Sequence, residues 1–413
     1  MLQRLLRPII FGQIFTTLGY ALGVMQVVLG HWVTVVVAGR EGPGLALGLL
    51  LAALLTLANG LLVPILRRAA RSRGAARWVA RAYMAVGVAT LLVGVAILGS
   101  WIGLYPLAQL LTVAGVSSEL AFEVFRIASA TVVASLGFMI AWGFTVGKSR
   151  VERTHVRVEV EGLHDGGRGL RIVQISDLHI GNRLQGEALG RLVDDVNAHA
   201  PDLIVLTGDI FDNDPSFVPD GMSRLGRLRA RYGTYAVLGN HDTYTGTETV
   251  AAAFGEWAPN LRLLRKDVVR VPVDFPLYLA GVDDPGVDWA ARGLELDALN
   301  DVAASCPDDG PTVLLVHRPE AFHQASKLGF QLVLSGHTHG GQLALPIPGG
   351  NFNLARLVTP FHRGLYRVNG STLYVNRGFG FAGPAIRFNC SREIATIELV
   401  PAGSPTASPP PEA

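Results

Sequence analysis

The chain has 413 residues, enough for two or three domains, and a formal net charge of only +2, so its total charge points to no nucleic-acid partner. Its two cysteines, Cys306 and Cys390, exclude a disulfide framework and any multi-cysteine zinc module, and fit a reducing compartment. Apolar residues are concentrated in the first third, so averages over the whole chain mislead.

From Pro8 to Gly39, and again from Gly44 to Leu66, the chain is nearly free of charge. Further apolar runs go from Ala82 to about Leu104 and from Ile127 to Gly147. Each reaches the ~20 residues that cross a hydrocarbon core at about 1.5 Å per residue. A soluble helix keeps a polar face, and LALGLLLAALLTLANGLLVPIL has none. The length of the first run and the spans behind it argue against a signal peptide. The shorter stretch Tyr105 to Val116 reads as an interfacial helix or as an extension of the third span.

Arg67, Arg68, Arg71, Arg73, Arg77 and Arg81 lie between spans two and three; Arg4 and Arg7 precede the first, and Lys148, Arg150 and Arg153 follow the fourth. The opposite loops hold only Arg40 with Glu41, and Glu119, Glu123 and Arg126. Basic residues collected on one side of short loops predict four crossings with both ends in the cytoplasm.

Beyond Arg153 the composition becomes that of a globular α/β domain. THVRVEVEGL alternates as a strand does. Short apolar runs then recur in LRIVQIS, DLIVLT, TYAVLG, TVLLVH and QLVLS, each followed by a turn and often by a helix-like segment. Continuous Val/Ile/Leu runs of this length read as strands covered on both faces. A last strand is expected near IATIELV, and the Pro/Ser/Ala tail after it has too little apolar surface to fold.

Chemistry-bearing residues collect where those runs end. Asp177 and His179 follow the first, Asp209 and Asp212 the second, and Asn240, His241 and Asp242 the third. His317 ends the fourth, and His337 with His339 follow the fifth. The D-x-H and H-x-H pairs are spaced i and i+2, which in an extended chain puts both side chains on one side. Ligand sites of open α/β sheets form outside the carboxyl ends of strands. Five ends carrying five of the eleven histidines, four carboxylates and one asparagine describe a distributed metal site. Mixed nitrogen and oxygen donors without cysteine suit manganese, iron or zinc. The donors outnumber what one ion with an open position needs, which points to two ions sharing a carboxylate. Such a pair, ~3.5–4 Å apart, clamps a phosphoryl group and generates hydroxide near neutral pH. Phosphoester hydrolysis is therefore the reaction class expected first.

In this order the motifs D-x-H, G-D-x-x-D, G-N-H-[DE], a lone histidine and G-H-x-H resemble those of the calcineurin-like metallophosphoesterase superfamily. SGHTHGGQ, the GVDD of Gly281 to Asp284 and the ending YVNRGFG…IRFNCSREI are similar to its membrane-associated bacterial phosphodiesterase branch. The resemblance covers about residues 155–400 and implies two mixed β-sheets packed face to face and flanked by helices. The expected fold is thus an N-terminal α-helical transmembrane bundle (1–150), an α/β metallophosphoesterase domain (151–400) and a disordered tail (401–413). The resemblance also implies that Asp177, His179, Asp209 and His339 hold one ion. Asp209 would bridge to a second, which Asn240, His317 and His337 complete. His241 then stands near the scissile oxygen as proton donor or electrostatic stabiliser, with Asp242 orienting its ring. Asp212 is expected in a turn or behind the ligands.

Asn182, Arg183, Arg318, Arg377 and Arg387 are candidates to meet phosphate oxygens, which a guanidinium matches in a bidentate fork. His155, His164, His199, His323 and His362 lack a motif and are expected to be solvated or packed, and His31 to be interfacial. The expected cofactor is a pair of divalent metal ions, manganese first, with iron or zinc as alternatives. The expected function is a membrane-anchored phosphohydrolase acting on a phosphodiester or pyrophosphate in a lipid or lipid-linked nucleotide. The resemblance extends to enzymes that split the pyrophosphate of UDP-diacylglucosamine, which favours a lipid precursor. A phosphomonoesterase acting on a soluble or protein substrate is the second reading. A non-enzymatic membrane scaffold is the third, and His241 beside the ligands argues against it. The partners expected are the bilayer and a phosphorylated substrate, not nucleic acid. The place expected is a bacterial inner membrane with the catalytic domain in the cytoplasm.

Overall fold

The computed structural model describes residues 2–69, 75–163, 169–286, 296–347 and 350–403. They belong to two compact units, Met1–Trp142 and Gly143–Ala413. Arg71 and Arg73 of the basic loop, His164, and the tail beyond residue 403 lie outside the described residues.

The first unit contains α1 (Leu2–Trp32), α2 (Leu45–Ala69), α3 (Ala75–Gly99), α4 (Tyr105–Val113) and most of α5 (Ser118–Thr145). Four helical stretches among the described residues are long and apolar enough to cross a membrane: Thr17–Val37, Leu45–Leu66, Trp78–Val113 and Ser118–Ser149. A π-helical turn, Ser100–Leu104, joins α3 to α4 without a break, so the apolar stretch after Leu104 prolongs the third helix. At about 1.5 Å per residue its 36 residues run ~54 Å, against ~30 Å of hydrocarbon. The fourth helix begins at Ser118 instead of the expected Ile127. Its charged first turns are paired: Arg126 donates to Glu123 at 2.6 Å and to the Val36 carbonyl at 2.9 Å.

Leucines of α2 such as Leu45, Leu54, Leu57 and Leu61 point outward and are exposed, as a lipid-facing surface requires. Polar side chains between helices satisfy one another. Asn59 donates to Gln26 at 2.9 Å and accepts the Tyr83 hydroxyl, while Trp32 Nε1 donates to Ser129 Oγ at 2.8 Å. Water is absent from hydrocarbon, so such groups must find partners on neighbouring helices.

In the second unit the chain runs through β1 (Val151–Val160), β2 (Leu170–Ile175), α6 (Gly186–Ala198), β3 (Leu203–Thr207) and α7 (Val218–Leu225). Next come β4 (Thr234–Val237), α8 (Asn240–Trp257), β5 (Leu261–Leu263), β6 (Asp267–Arg270), β7 (Tyr278–Val282) and α9 (Leu296–Ala304). They are followed by β8 (Thr312–Val316), α10 (Phe322–Ala325), β9 (Leu332–Ser335) and a hairpin of β10 (Ala344–Ile347) and β11 (Gly350–Asn353). The last strands are β12 (Gly364–Val368), β13 (Ser371–Val375) and β14 (Arg392–Pro401).

Two six-stranded sheets result, ordered β1-β14-β2-β3-β4-β5 and β12-β13-β9-β8-β7-β6. Both are mixed: β2 to β5 and β7, β8, β9, β13 run parallel, while β14 meets β2, and β6 and β12 meet their neighbours, antiparallel. Burial explains the continuous apolar runs. Leu203 and Val205 of β3 face Leu279, Val313 and Leu334 of the other sheet. Ile204 and Leu206 face Leu189 and Val193 of α6 and Phe254 of α8. The second sheet is backed in the same way, Leu314 and Val333 packing on Leu299 of α9 and Phe322 of α10. A strand buried on both faces needs apolar residues at every position. Two mixed sheets face to face between helices are the fold class expected from the resemblance.

In the first unit, small residues set the helix approach. A Cβ at Gly23 would stand 2.3 Å from the Thr56 amide nitrogen, so α1 and α2 meet backbone to backbone there. Gly23→Val is expected to lower the thermal midpoint of the detergent-solubilised protein by scanning fluorimetry. Gly48→Ala, where a Cβ meets nothing within 4 Å, should leave it unchanged.

Candidate metal centre

Both sheets present strand ends to one place. Asp177 and His179 follow β2, Asp209 follows β3, and Asn240 and His241 open α8 just after β4. From the other sheet, His317 follows β8 and His337 with His339 follow β9. Gln174, buried in β2, ties the sheets together beneath them. Its Nε2 donates to Thr207 Oγ1 at 2.9 Å and to the Ser335 carbonyl at 3.0 Å.

The i and i+2 pairs do not converge by strand alternation. Asp177, His179, Asp209, His337 and His339 all adopt left-handed backbone, with φ between 47° and 70°. Asp and His enter this region more readily than most residues, yet it costs about 1–2 kcal/mol each. Glycine allows the loops to close around them. A Cβ at Gly239 would lie 2.3 Å from the Asp209 amide nitrogen, and one at Gly336 would lie 2.2 Å from Asp177 Oδ2.

Three donor groups form, one of them made of His179 with Asp212 and His241, and the other two carry most of the expected ligands. In the first, His179 Nε2 lies 3.0 Å from His339 Nε2, which is 3.4 Å from Asp177 Oδ1. In the second, His317 Nε2 lies 3.3 Å from Asp209 Oδ2 and 3.1 Å from His337 Nδ1. Asp209 faces both, because the same Oδ2 stands 3.7 Å from His179 Nε2. Its Oδ1 accepts the His241 amide at 2.8 Å.

The electrostatics call for positive charge. His317 Nδ1 donates to the Thr207 carbonyl at 2.8 Å, which leaves Nε2 facing the Asp209 carboxylate. Burial opposes protonation of His317, but Asp209 and Asp177 outweigh it and raise the group to about 10. Burial above all keeps His337 and His339 well below the ordinary histidine range and lowers His179 to about 4. Those three imidazoles are therefore neutral, the form that binds a metal. Burial raises Asp177 to about 6, whereas for Asp209 the surrounding His317 and His241 overcome burial and hold the carboxylate ionised. Asn240 is buried, and its Oδ1 finds no donor among the described residues. An orphaned buried acceptor is costly unless a cation or water meets it. Nitrogen and oxygen donors, neutral imidazoles and that free oxygen together fit divalent ions of the manganese, iron or zinc kind.

His241 stands beside these groups, half-buried, its ring edge-on to His179 with centroids 4.6 Å apart. The expected partner, Asp242, does not orient it. As the third residue of α8, Asp242 turns back to accept the amides of Gly239, Phe211 and Ile210 at 2.8, 2.9 and 3.2 Å. The free amides of the helix start claim the carboxylate. Burial and the nearby Asp209 raise Asp242 to about 7. Asp212 takes the orienting place, with Oδ1 3.3 Å from His241 Nδ1. Burial opposes the imidazolium, but Asp209 and Asp212 prevail and raise the affinity of His241 for a proton.

The arginines expected at phosphate have other partners. Arg377 bridges Glu393 at 2.8 Å and Glu152 at 2.9 Å. Arg387 is fully buried and donates to the carbonyls of Gly380, Gly378 and Arg377 at 2.8–3.0 Å, 3.4 Å from His339 Nδ1. Arg318 is paired with Asp284 of the GVDD stretch at 2.5 Å. These three support the ligand loops. Asn182 and Arg183 are exposed beyond His179, and Arg183 donates to the Gly383 carbonyl. His199 packs against Thr396 and His362 against Tyr366, away from the donor groups. Gln174 escaped the sequence reading, although one amide inside the apolar run LRIVQI was a usable signal.

Residues 170–341 match the calcineurin-like phosphoesterase family, a span from β2 to the loop of His339 that includes every candidate ligand. An uncharacterized metallophosphoesterase of Helicobacter pylori strain J99 is 31% identical over 277 residues, covering 64% of this chain and 70% of that protein. The chain belongs to the calcineurin-like phosphoesterases. A transmembrane protein with metallophosphoesterase domain from Danio rerio is 36% identical over 258 residues, 59% of this chain and 56% of that protein. An uncharacterized metallophosphoesterase of Campylobacter jejuni is 34% identical over 249 residues, 59% of this chain and 62% of that protein. The chain thus spans little more than half the length of these last two relatives. The segment that matches the family brings together candidate ligands for divalent ions.

The backbone strain can be read separately from the chemistry. His339→Gly and His339→Ala both remove the imidazole, but only glycine takes φ near 51° at no steric cost. In chelator, the glycine variant is expected to melt about 2–4 °C above the alanine variant by scanning fluorimetry.

Proposed function

We propose that the chain is a membrane-anchored dimetal phosphohydrolase that cleaves a phosphodiester or pyrophosphate bond in a lipid or lipid-linked nucleotide. Manganese is the first candidate metal, iron or zinc the next. One observation carries the reading: a single buried oxygen, Asp209 Oδ2, lies 3.7 Å from His179 and 3.3 Å from His317, so two donor groups share it. Asp177, His179 and His339 would hold one ion with Asp209, and Asn240, His317 and His337 the other. When bound, two divalent ions supply Lewis acidity toward phosphoryl oxygens and a water of lowered pKa.

His241 supplies the proton. With Nδ1 held by Asp212, its Nε2–H is the one given to the leaving oxygen as the P–O bond breaks. The neighbouring carboxylates favour the imidazolium form that this step needs. A lipid substrate is supported by the four apolar helices of the same chain. The Danio rerio relative, whose name joins a transmembrane part to a metallophosphoesterase domain, supports it further.

The test is a substrate panel on the purified full chain with Mn²⁺: bis-p-nitrophenyl phosphate, its monoester, and lipid-linked nucleotides. Chelator-sensitive turnover of the diester and the lipid-linked pyrophosphate is expected; turnover of the monoester alone would overturn the reading. Asp209→Asn should deplete both ions in metal analysis. His241→Gln should keep them yet lose ~10²–10⁴ in turnover, less with a good leaving group.

Four crossings and the arginine asymmetry support a catalytic unit on the cytoplasmic side of a bacterial inner membrane. A reporter active only outside the cytoplasm should be silent when fused after Val400 and active when fused near Glu41. Activity at Val400 reverses the orientation and moves the substrate to the opposite leaflet.

A further inference from the structure

We propose that the β10–β11 hairpin and the helical turn after it form a ridge that docks on the surface of the lipid bilayer, beside the metal centre. The two strands pair Leu345 with Phe352 and Ile347 with Gly350, so Leu345, Ile347 and Phe352 share one face. All three are exposed. The turn that follows, Leu354–Leu357, adds Leu354, Leu357 and Val358, exposed at 58%, 71% and 55%. Single exposed leucines are ordinary on a protein surface, but six large apolar side chains within one short segment form a patch.

The surroundings select a bilayer as the occupant. From Leu343 to Val368 the chain holds Arg356, Arg363 and Arg367 and no carboxylate, and Arg356 sits in the apolar turn itself, its guanidinium donating to the Asn351 carbonyl of β11. Apolar side chains flanked by arginine suit the boundary between acyl chains and anionic headgroups. The root of the hairpin is tied into the first residues of the second unit. Ala344 donates to the Phe388 carbonyl and Phe388 to the Gln342 carbonyl, each at 2.9 Å. The adjacent Arg387 amide donates to the Gly143 carbonyl at 3.2 Å, a contact inside the second unit.

The ridge is fastened to the ligand loop as well. Asn353, at the end of β11, sits so close that a Cβ on Gly341 would lie 2.6 Å from its Oδ1. Gly341 is two residues beyond His339. A docked ridge therefore holds the metal centre at the headgroup level. The inference does not depend on which phosphoester is cleaved.

The test uses the full chain in bilayer discs containing anionic lipid, with Zn²⁺ in place of Mn²⁺ to keep the site diamagnetic. In a Cys306→Ser background, a nitroxide is attached at Leu357→Cys, at Ile347→Cys, or at the control Arg191→Cys on exposed α6. Power saturation is expected to put the first two labels roughly 5–10 Å below the lipid phosphates, accessible to oxygen and shielded from chromium oxalate. The control should show the reverse. Adding Leu354→Ser and Val358→Ser should move the label at 357 toward water, while hydrolysis of bis-p-nitrophenyl phosphate in detergent is unchanged. Labels at 347 and 357 as open to chromium oxalate as the control overturn the proposal. So does spin–spin broadening between labels, which assigns the ridge to a second copy of the chain.

Discussion

The site depends on one constraint: a single carboxylate, Asp209, has to be reached from two different sheets. It leaves β3 in the first sheet, and the imidazole of His317 comes to it from β8 in the second. Neither sheet alone could place donors on both sides of that oxygen. The apolar layer between them, with Val205, Leu279, Val313 and Leu334, therefore sets distances in the metal centre as much as it stabilises the unit. A slip of one residue in any of these strands would exchange its two faces and withdraw a ligand. The hydrogen bonds of Gln174 to both sheets fix the seam at the level where the strands end.

Much of this was legible, for a physical reason. Strands buried on both faces appear as continuous apolar runs, and what the protein uses must then sit where the runs stop. Asp177, Asp209, His317 and His337 stand out in such a text because few other residues there carry chemistry. Backbone handedness was not legible. The i and i+2 spacing of Asp177 with His179 suggested an extended chain, and the structure replaces it with two left-handed residues. The neighbour of His241 was misjudged for a related reason. Sequence adjacency favours Asp242, but helical geometry turns Asp242 toward its own amides. Asp212 arrives only because β3 and β4 pair in register. Adjacency in sequence predicts contact poorly at a helix start.

The apolar third was legible from composition, since a span must be apolar along its whole length. Its boundaries were less so. Charge at Glu119, Glu123 and Arg126 argued for a later start to the last helix, yet Arg126 finds partners in Glu123 and the Val36 carbonyl. A count of charges along a window records residues and not their partners. Whether α3 runs on into α4 stays open in the sequence, because Pro106 is a residue that commonly starts a new helix, and here a π-helical turn carries the chain past it.

The guanidiniums that seemed free to meet phosphate carry a different burden. Five ligand residues sit in left-handed backbone and seven donors crowd one place, so the loops need support from outside the donor set. Arg387 supplies it by donating to three carbonyls of the segment that passes behind His339. Arg377 locks to Glu393 on β14, and Arg318 to Asp284 at the end of β7. Each of these arginines is bound to its own loop or to a buried carboxylate, and of their buried nitrogens only Nε of Arg387 is left without a hydrogen-bond partner among the described residues. Their charge still counts, because Arg387 adds to the forces keeping His339 neutral. The scaffold thus holds the imidazoles of His179, His337 and His339 neutral and aimed before any ion arrives, and binding is spared the cost of arranging them.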